Sequence, residues 1–338
     1  MSSKRLSMAA LLILVMAFTT GCISGKVRSQ DLVRSSPSAP LDVAAARAAL
    51  PGYTVADRRI SMADGVKLYA VAFTRPDARA TVLYFGGNGY KVGLFGIPTV
   101  KNLGAAPVNV VLVDHRGYGA SEGSPTLEAM FADAPQVYDA VHAWPELGGR
   151  PLIVHGQSIG SFMAGTVARQ RTLDGLVLES SMTTGEAWGQ MYEDHWMVRR
   201  VEVEGSLREA GNLPVMRTLD EPLLVLVGAN DKATPPKYSR ELFEAAAVPA
   251  ARKRLVVMAG RGHNESPPIP ASPRCTAASS TCCRRLRLVP SDATMPAAES
   301  ARQSRHPSTC WWMPRKVRAP QGTVPGNAWA ARADGKCN

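Results

Sequence analysis

The stretch LIVHGQSIGSF reads as a short apolar strand, the turn Gly156-Gln157-Ser158-Ile159-Gly160, and the start of a helix. A serine in a G-x-S-x-G turn between strand and helix is suited to nucleophilic attack. Its glycines permit a sharp turn, and the turn sets the hydroxyl at a helix N-terminus, where developing negative charge is favoured. The same residues would equally serve a plain glycine-rich turn in which Ser158 caps the helix. What separates the two readings is the company the serine keeps. A serine hydroxyl is a poor nucleophile alone and needs a base, and the base needs an acid to orient it.

Six histidines are available: His115, His142, His155, His195, His263 and His306. His155 directly precedes the turn and would end its strand, and His142 sits in a helical stretch. His115 follows Asp114 in a different loop, His195 belongs to a long insertion, and His306 lies far beyond the last strand. Only His263 occupies a loop after that strand, between Gly262 and Asn264, and it is the expected base. The acid should lie between serine and histidine in chain order. Asp231, in a turn after PLLVLVG, is favoured over Glu179, which closes GLVLES. An oxyanion formed by attack needs N–H donors. One is the amide of Ile159, next to the serine, and another should come from the glycine-rich loop in YFGGNGY. That loop is no phosphate cradle, because Lys91 is not followed by Ser or Thr, and it lacks dinucleotide-loop spacing. No cofactor and no metal are expected.

These residues need a scaffold, and the apolar pattern describes one. TVLYF, VNVVLVD, LIVHG, GLVLES, PLLVLVG and RLVVMAG are short, nearly all-apolar runs. They alternate with helical stretches expected at about 127–145, 158–171 and 235–248, which indicates a mainly parallel sheet covered on both faces. RRISMADGVKLYAVAFTR places a hairpin around Asp64-Gly65 ahead of them. The α/β domain is thus expected over 51–265. Within it, 181–221 is too long for a simple crossover and is expected to form a short helical lid. Trp188, Met191, Tyr192 and Trp196 in that insertion either line an apolar acyl pocket or pack the lid on the sheet.

The chain ends differ in character from this body. The formal charge of +11 over 338 residues invites a nucleic-acid reading. Much of the excess, however, lies after His263, where eleven Arg and Lys face three Asp and Glu from residue 266 on. No basic stripe interleaved with aromatics is present, so no nucleic-acid partner is expected. Beyond Asn264 four prolines at 267, 268, 270 and 273 stand where a final helix should start. Residues 266–338 are rich in Pro, Ser and Arg and are expected to be disordered, in keeping with a frameshifted or replaced gene end. Between Cys22 and Cys275 there is no cysteine, so the body needs neither a disulfide nor a catalytic thiol.

At the N-terminus, Lys4 and Arg5 precede an apolar run from Met8 to Phe18 that is too short for a comfortable membrane span. The run ends in Thr19-Thr20-Gly21-Cys22, which resembles the lipobox of bacterial lipoproteins. That resemblance implies a signal peptide over 1–21, lipidation of Cys22, a tether over 22–50 with a short helix, and location in the cell envelope. The outer membrane is then favoured in a Gram-negative source.

Taken in order, YFGGNGY, VDHRGYGASEGSPT, HGQSIGS, GANDKATPP and GRGHN resemble the α/β-hydrolase superfamily over roughly 55–265. Within it they are nearest the small-lid serine hydrolases related to depalmitoylases and acyl esterases. The resemblance implies Ser158 as nucleophile, Asp231 as acid, His263 as base, and Asn88 and Ile159 as oxyanion donors. It makes Arg116 and Gly117 framework residues, and Gly86 replaces a histidine common in this branch, which would loosen the loop. The expected activity is cleavage of a small acyl ester or thioester through an acyl-enzyme, at a membrane reached through the lipid anchor. A serine peptidase of the same fold and a non-catalytic envelope lipoprotein are the competing readings.

Overall fold

The computed structural model describes residues 23–27, 32–193 and 198–265. The expected signal segment, Cys22, Trp196 and the expected tail 266–338 lie outside the described residues. Two short strands come first, β1 (Ile23–Val27) and β2 (Ser36–Pro37), followed by helix α1 (Val43–Ala49). The hairpin around Asp64-Gly65 follows as β3 (Thr54–Ser61) and β4 (Lys67–Thr74), paired antiparallel from Thr54↔Thr74 to Ser61↔Lys67.

Alternation of strand and helix then takes over. Strand β5 (Ala80–Phe85) leads to helix α2 (Val92–Leu103), and β6 (Val108–Val113) to the short β7 (Tyr118–Gly119) and helix α3 (Leu127–His142). Strand β8 (Leu152–Gln157) runs into helix α4 (Gly160–Gln170), and β9 (Gly175–Glu179) opens the long insertion. The insertion comprises helix α5 (Gly185–Glu193), strand β10 (Val198–Val203), and the short helices α6 (Gly205–Glu209) and α7 (Leu213–Met216). Strand β11 (Leu223–Gly228), helix α8 (Pro236–Ala245) and strand β12 (Lys253–Met258) close the fold.

Eight strands form one sheet in the order β12-β11-β9-β8-β5-β6-β4-β3, with β5, β6, β8, β9, β11 and β12 parallel. Every residue of β5 and β6 is buried, as a strand covered on both faces requires. One face packs on α3, α4 and α7 through Leu127, Met130, Phe162, Met163 and Met216, and the other on α1 and α2 through Ala46, Val92 and Val100. Beyond α2 on that second face, Val177, Leu226 and Met258 are buried, while Ile153, Leu224 and Val256 stay only partly covered.

Two expectations need correcting. The segment 22–50 is not a plain tether: Leu32 and Val33 enter the main core, Leu41 and Ala46 enter the second one, and β1 pairs in parallel with β10. Burying the apolar side chains spaced along that stretch removes them from water and so favours docking of the segment on the body. Nor is the insertion a purely helical lid, because it contains β10 and buries Leu207, Val215 and Met216 in the main core.

Candidate active site

Strand β8 ends at Gln157, and the chain turns sharply into α4. Ser158 adopts φ 54°, a left-handed conformation that costs an L-residue about 1–2 kcal/mol. The flanking glycines make the turn possible sterically. A Cβ on Gly156 would stand 2.3 Å from the Gly160 carbonyl oxygen, and one on Gly160 would stand 2.1 Å from that of Phe85. The turn is pinned from the neighbouring strand, since the Ser158 amide donates to the Glu179 carbonyl at 2.9 Å. Behind it, Ser161 donates to the Ser158 carbonyl at 2.5 Å and lies 2.9 Å from Ser181 Oγ, and Asn212 Nδ2 reaches both Ser181 Oγ and the Ser161 carbonyl. The insertion thereby braces the turn that carries Ser158.

The loop after β12 brings His263 across the end of the sheet. Its Nε2 lies 3.0 Å from Ser158 Oγ, and its Nδ1 lies 3.0 and 2.9 Å from the two oxygens of Asp231. Asp231 is almost wholly buried in the turn after β11. Burial raises the pKa of its carboxyl, but the hydrogen bond to His263 and those from Thr234 outweigh it, holding the pKa below the ordinary value of 3.8. The amides of Ala233 and Thr234 and the Thr234 hydroxyl donate to it at 3.0, 2.8 and 2.7 Å. Such a satisfied anion keeps its charge and can hold Nδ1–H toward itself, leaving Nε2 free to accept the serine proton. The rival Glu179 is committed elsewhere, with its Oε2 2.8 Å from His155 Nε2 and both side chains buried. His155 itself lies within β8, not at its end.

The glycine loop after β5 is tightly held. Its Gly86 carbonyl accepts from His115 Nε2 at 2.8 Å, and a Cβ on Gly86 would meet the Tyr90 ring at 2.2 Å. The expected loosening where a histidine is replaced by Gly86 is therefore absent, because Tyr90 fills that space. Burial lowers the His115 pKa, so a neutral imidazole donates this bond. The Gly87 amide is taken by Gln157 Oε1, and the Asn88 side chain accepts from the Tyr118 hydroxyl at 2.7 Å. Among the described residues the backbone amides of Asn88 and Ile159 receive no acceptor from the protein, the state an oxyanion site requires. A Cβ on Gly87 would lie 3.4 Å from Ser158 Cβ, so this loop closes directly on Ser158.

Of the residues expected to contact substrate, Trp188 is partly buried and packs edge-on against Phe162 of α4, with centroids 6.3 Å apart. It anchors the insertion to the core. Met191 is partly covered at the end of α5, and the side chain of Tyr192 lies outside the described residues, as does Trp196. Arg116 is a framework residue, as expected: buried, it grips Asp133 with two nitrogens at 2.9 and 2.6 Å and Asp64 with the third at 2.6 Å. Two further residues of the site, His115 and Gln157, have no functional signature of their own in the sequence beyond adjacency to Asp114 and to Ser158.

A mainly parallel eight-stranded sheet with helices on both faces, with serine, aspartate and histidine converging at its carboxyl edge, is the α/β-hydrolase fold. The family described as serine aminopeptidase, S33, matches residues 76–205, a span that holds the glycine loop and the Ser158 turn but stops before Asp231 and His263. An uncharacterised protein of Mycobacterium tuberculosis is 30% identical over 158 residues, covering 47% of this chain and 54% of its own. A lysophosphatidylserine lipase of Danio rerio is 28% identical over 182 residues, covering 49% of this chain and 47% of its own. The chain thus spans about half the length of the curated relatives it matches. An esterase structure from Pyrococcus furiosus shares the fold, with a TM-score of 0.52 at 18% identity over 68% of this chain and 91% of that one.

Proposed function

We propose that the protein is a serine hydrolase that cleaves a carboxylic ester or thioester. The observation that carries this reading is the continuous relay from Asp231 through His263 to Ser158, each step within 3.0 Å. Ser158 Oγ attacks the substrate carbonyl carbon while His263 Nε2 takes its proton. The carbonyl oxygen becomes an oxyanion held by the amides of Asn88 and Ile159, and the imidazolium by Asp231. The tetrahedral species collapses as His263 returns the proton to the departing alcohol or thiol, leaving an acyl-Ser158. Water, deprotonated by the same imidazole, releases the acid and restores the serine.

An ester substrate is supported by the likeness to a lysophosphatidylserine lipase, and a peptidase alternative by the serine aminopeptidase family match. Competing hydrolysis of acyl p-nitrophenyl esters and aminoacyl p-nitroanilides separates the two, with the ester expected to win. The central test is covalent. A fluorophosphonate probe should label the folded protein at Ser158, and Ser158→Ala should lose both labelling and at least about 10³-fold in kcat while keeping its circular dichroism. Retention of most activity would mean that another group is the nucleophile. The lipobox-like segment ending in Cys22 supports a second element of the proposal, an envelope location through a lipid anchor.

A further inference from the structure

We propose that Gln157 is a positioning residue, one that locks both the oxyanion-donor loop and the histidine loop to the nucleophile turn. This role rests on the serine-hydrolase reading of the same site. Gln157 is the last residue of β8, immediately before Ser158, and is only 8% exposed. Its carboxamide is spent on two other loops. Oε1 accepts the Gly87 amide at 3.1 Å, while Nε2 donates to Asn264 Oδ1 at 3.1 Å and to the His263 carbonyl at 3.4 Å. One side chain thus joins the loops that follow β5, β8 and β12.

The chemistry of the three contacts selects a carboxamide. The glycine loop offers a donor and the histidine loop offers two acceptors, so the bridging group must accept at one end and donate at the other. A carboxylate would satisfy only the first, and an alkyl chain neither. Both partners adjoin residues of the proposed machinery: Gly87 precedes the oxyanion donor Asn88, and Asn264 follows His263. Apart from the contacts of the His263 ring itself with Ser158, Asp231 and Thr234, the other hydrogen bonds of the histidine loop among the described residues do not reach the turn of Ser158. They run from the Arg261 amide to the Met258 carbonyl at 3.3 Å, from the Asn230 amide to the Arg261 carbonyl at 2.8 Å, and from the Gly262 amide to the Glu265 carboxylate at 3.0 Å. With Gln157 removed, the imidazole and the oxyanion donors could shift relative to Ser158 Oγ by fractions of an ångström. A displacement of about 1 Å in such a constellation is enough to cost about a hundredfold in rate.

The test uses the full chain, short p-nitrophenyl esters and a fluorophosphonate probe. Gln157→Met, similar in length and without hydrogen bonds, should lower kcat by about ten- to a hundredfold, slow labelling in parallel, and leave KM nearly unchanged. Gln157→Glu keeps the bond to Gly87 and loses the donor. Its rate relative to wild type should therefore recover as pH falls and the carboxyl gains a proton to donate. Asn264→Leu breaks the same bridge from its far end, and the double variant Gln157→Met/Asn264→Leu should be no slower than the slower single. Should Gln157→Met fail to fold, Gln157→Glu and Asn264→Leu carry the same comparison. Wild-type kcat in folded Gln157→Met, a rise in KM at constant kcat, or fully multiplicative effects would each overturn the role. If folded wild type neither labels nor turns over, the serine-hydrolase reading fails first, a result distinct from any effect of Gln157.

Discussion

Asp231 and Asp114 show how one residue type is tuned in opposite directions within one fold. Asp231 is held low by its donors, so it favours the folded state above the ordinary carboxylate pKa and loses that contribution as pH falls. Asp114 lies after β6, accepting the Val92 amide at the start of α2 at 2.7 Å and the Ala120 amide at 2.9 Å. Burial pushes its pKa up to about 6, against the lowering effect of those amides. A carboxyl raised in the fold binds its proton more tightly folded than unfolded. Its stabilising share is complete below the unfolded value of 3.8 and is lost as pH climbs through about 6. The loss amounts to about 3 kcal/mol at most, at 1.4 kcal/mol per pH unit. Asp114→Asn should therefore be less stable overall, since one amide loses its acceptor, yet show a smaller drop in stability between pH 4.5 and 7.5 than wild type. Denaturant titrations at both pH values decide this, and superimposable pH profiles would contradict it. At this scale the relay residues were legible in the sequence because their chemistry dictates type and chain order. His115 and Gln157 were not, because a bridge to a residue 29, 70 or 107 positions away leaves no local pattern.

Among the elements, the β8–α4 turn carries the tightest steric demand. The Gly160 Cα approaches the carbonyls of Phe85 and Gly86 so closely that an added Cβ would stand 2.1 and 2.5 Å from them. Backbone cannot move aside as a long side chain can. Gly160→Ala should cost about 1–3 kcal/mol and displace the helix that carries the Ile159 amide. Activity should consequently fall further than stability alone explains, which parallel melting and kcat measurements would show. Strands and helices of the body were legible because buried parallel strands are short apolar runs and their covering helices are amphipathic. Helix α3 ends at His142 and α8 at Ala245, each three residues short of the expected end. The character of the insertion was not legible. Strand β10 finds its partner in β1, about 175 residues earlier, and a two-stranded pair so distant in sequence has no periodic signature.

For the molecule as a whole, the sheet is unevenly clothed. Ile153, Leu224 and Val256 on one face are only partly covered, and every residue of β12 before Met258 retains some exposure. The sequence expectation of a missing final helix concerns this same end of the sheet, and residues 266–338 lie outside the described ones. Placement in the cell is the other question at this scale. The proposed anchor predicts that the protein, produced in a bacterium, incorporates labelled palmitate and sediments with membranes, and that Cys22→Ser abolishes both. Equal incorporation by wild type and variant would remove the anchor from the proposal. The pairing of β1 with β10 gives that anchor a mechanical meaning. β1 starts at Ile23, the residue after Cys22, and its ladder extends from Ile23↔Val198 to Val27↔Val203. An acyl chain on Cys22 would hold the body not on a slack cord but through a ladder loaded in shear. The stand-off between bilayer and insertion would then be short and set by the strand. The same ladder fixes where a shortened, anchor-free version should begin. Starting at residue 23 keeps β10 paired, whereas starting at residue 28 would strip its partner and leave a bare strand edge open to other chains.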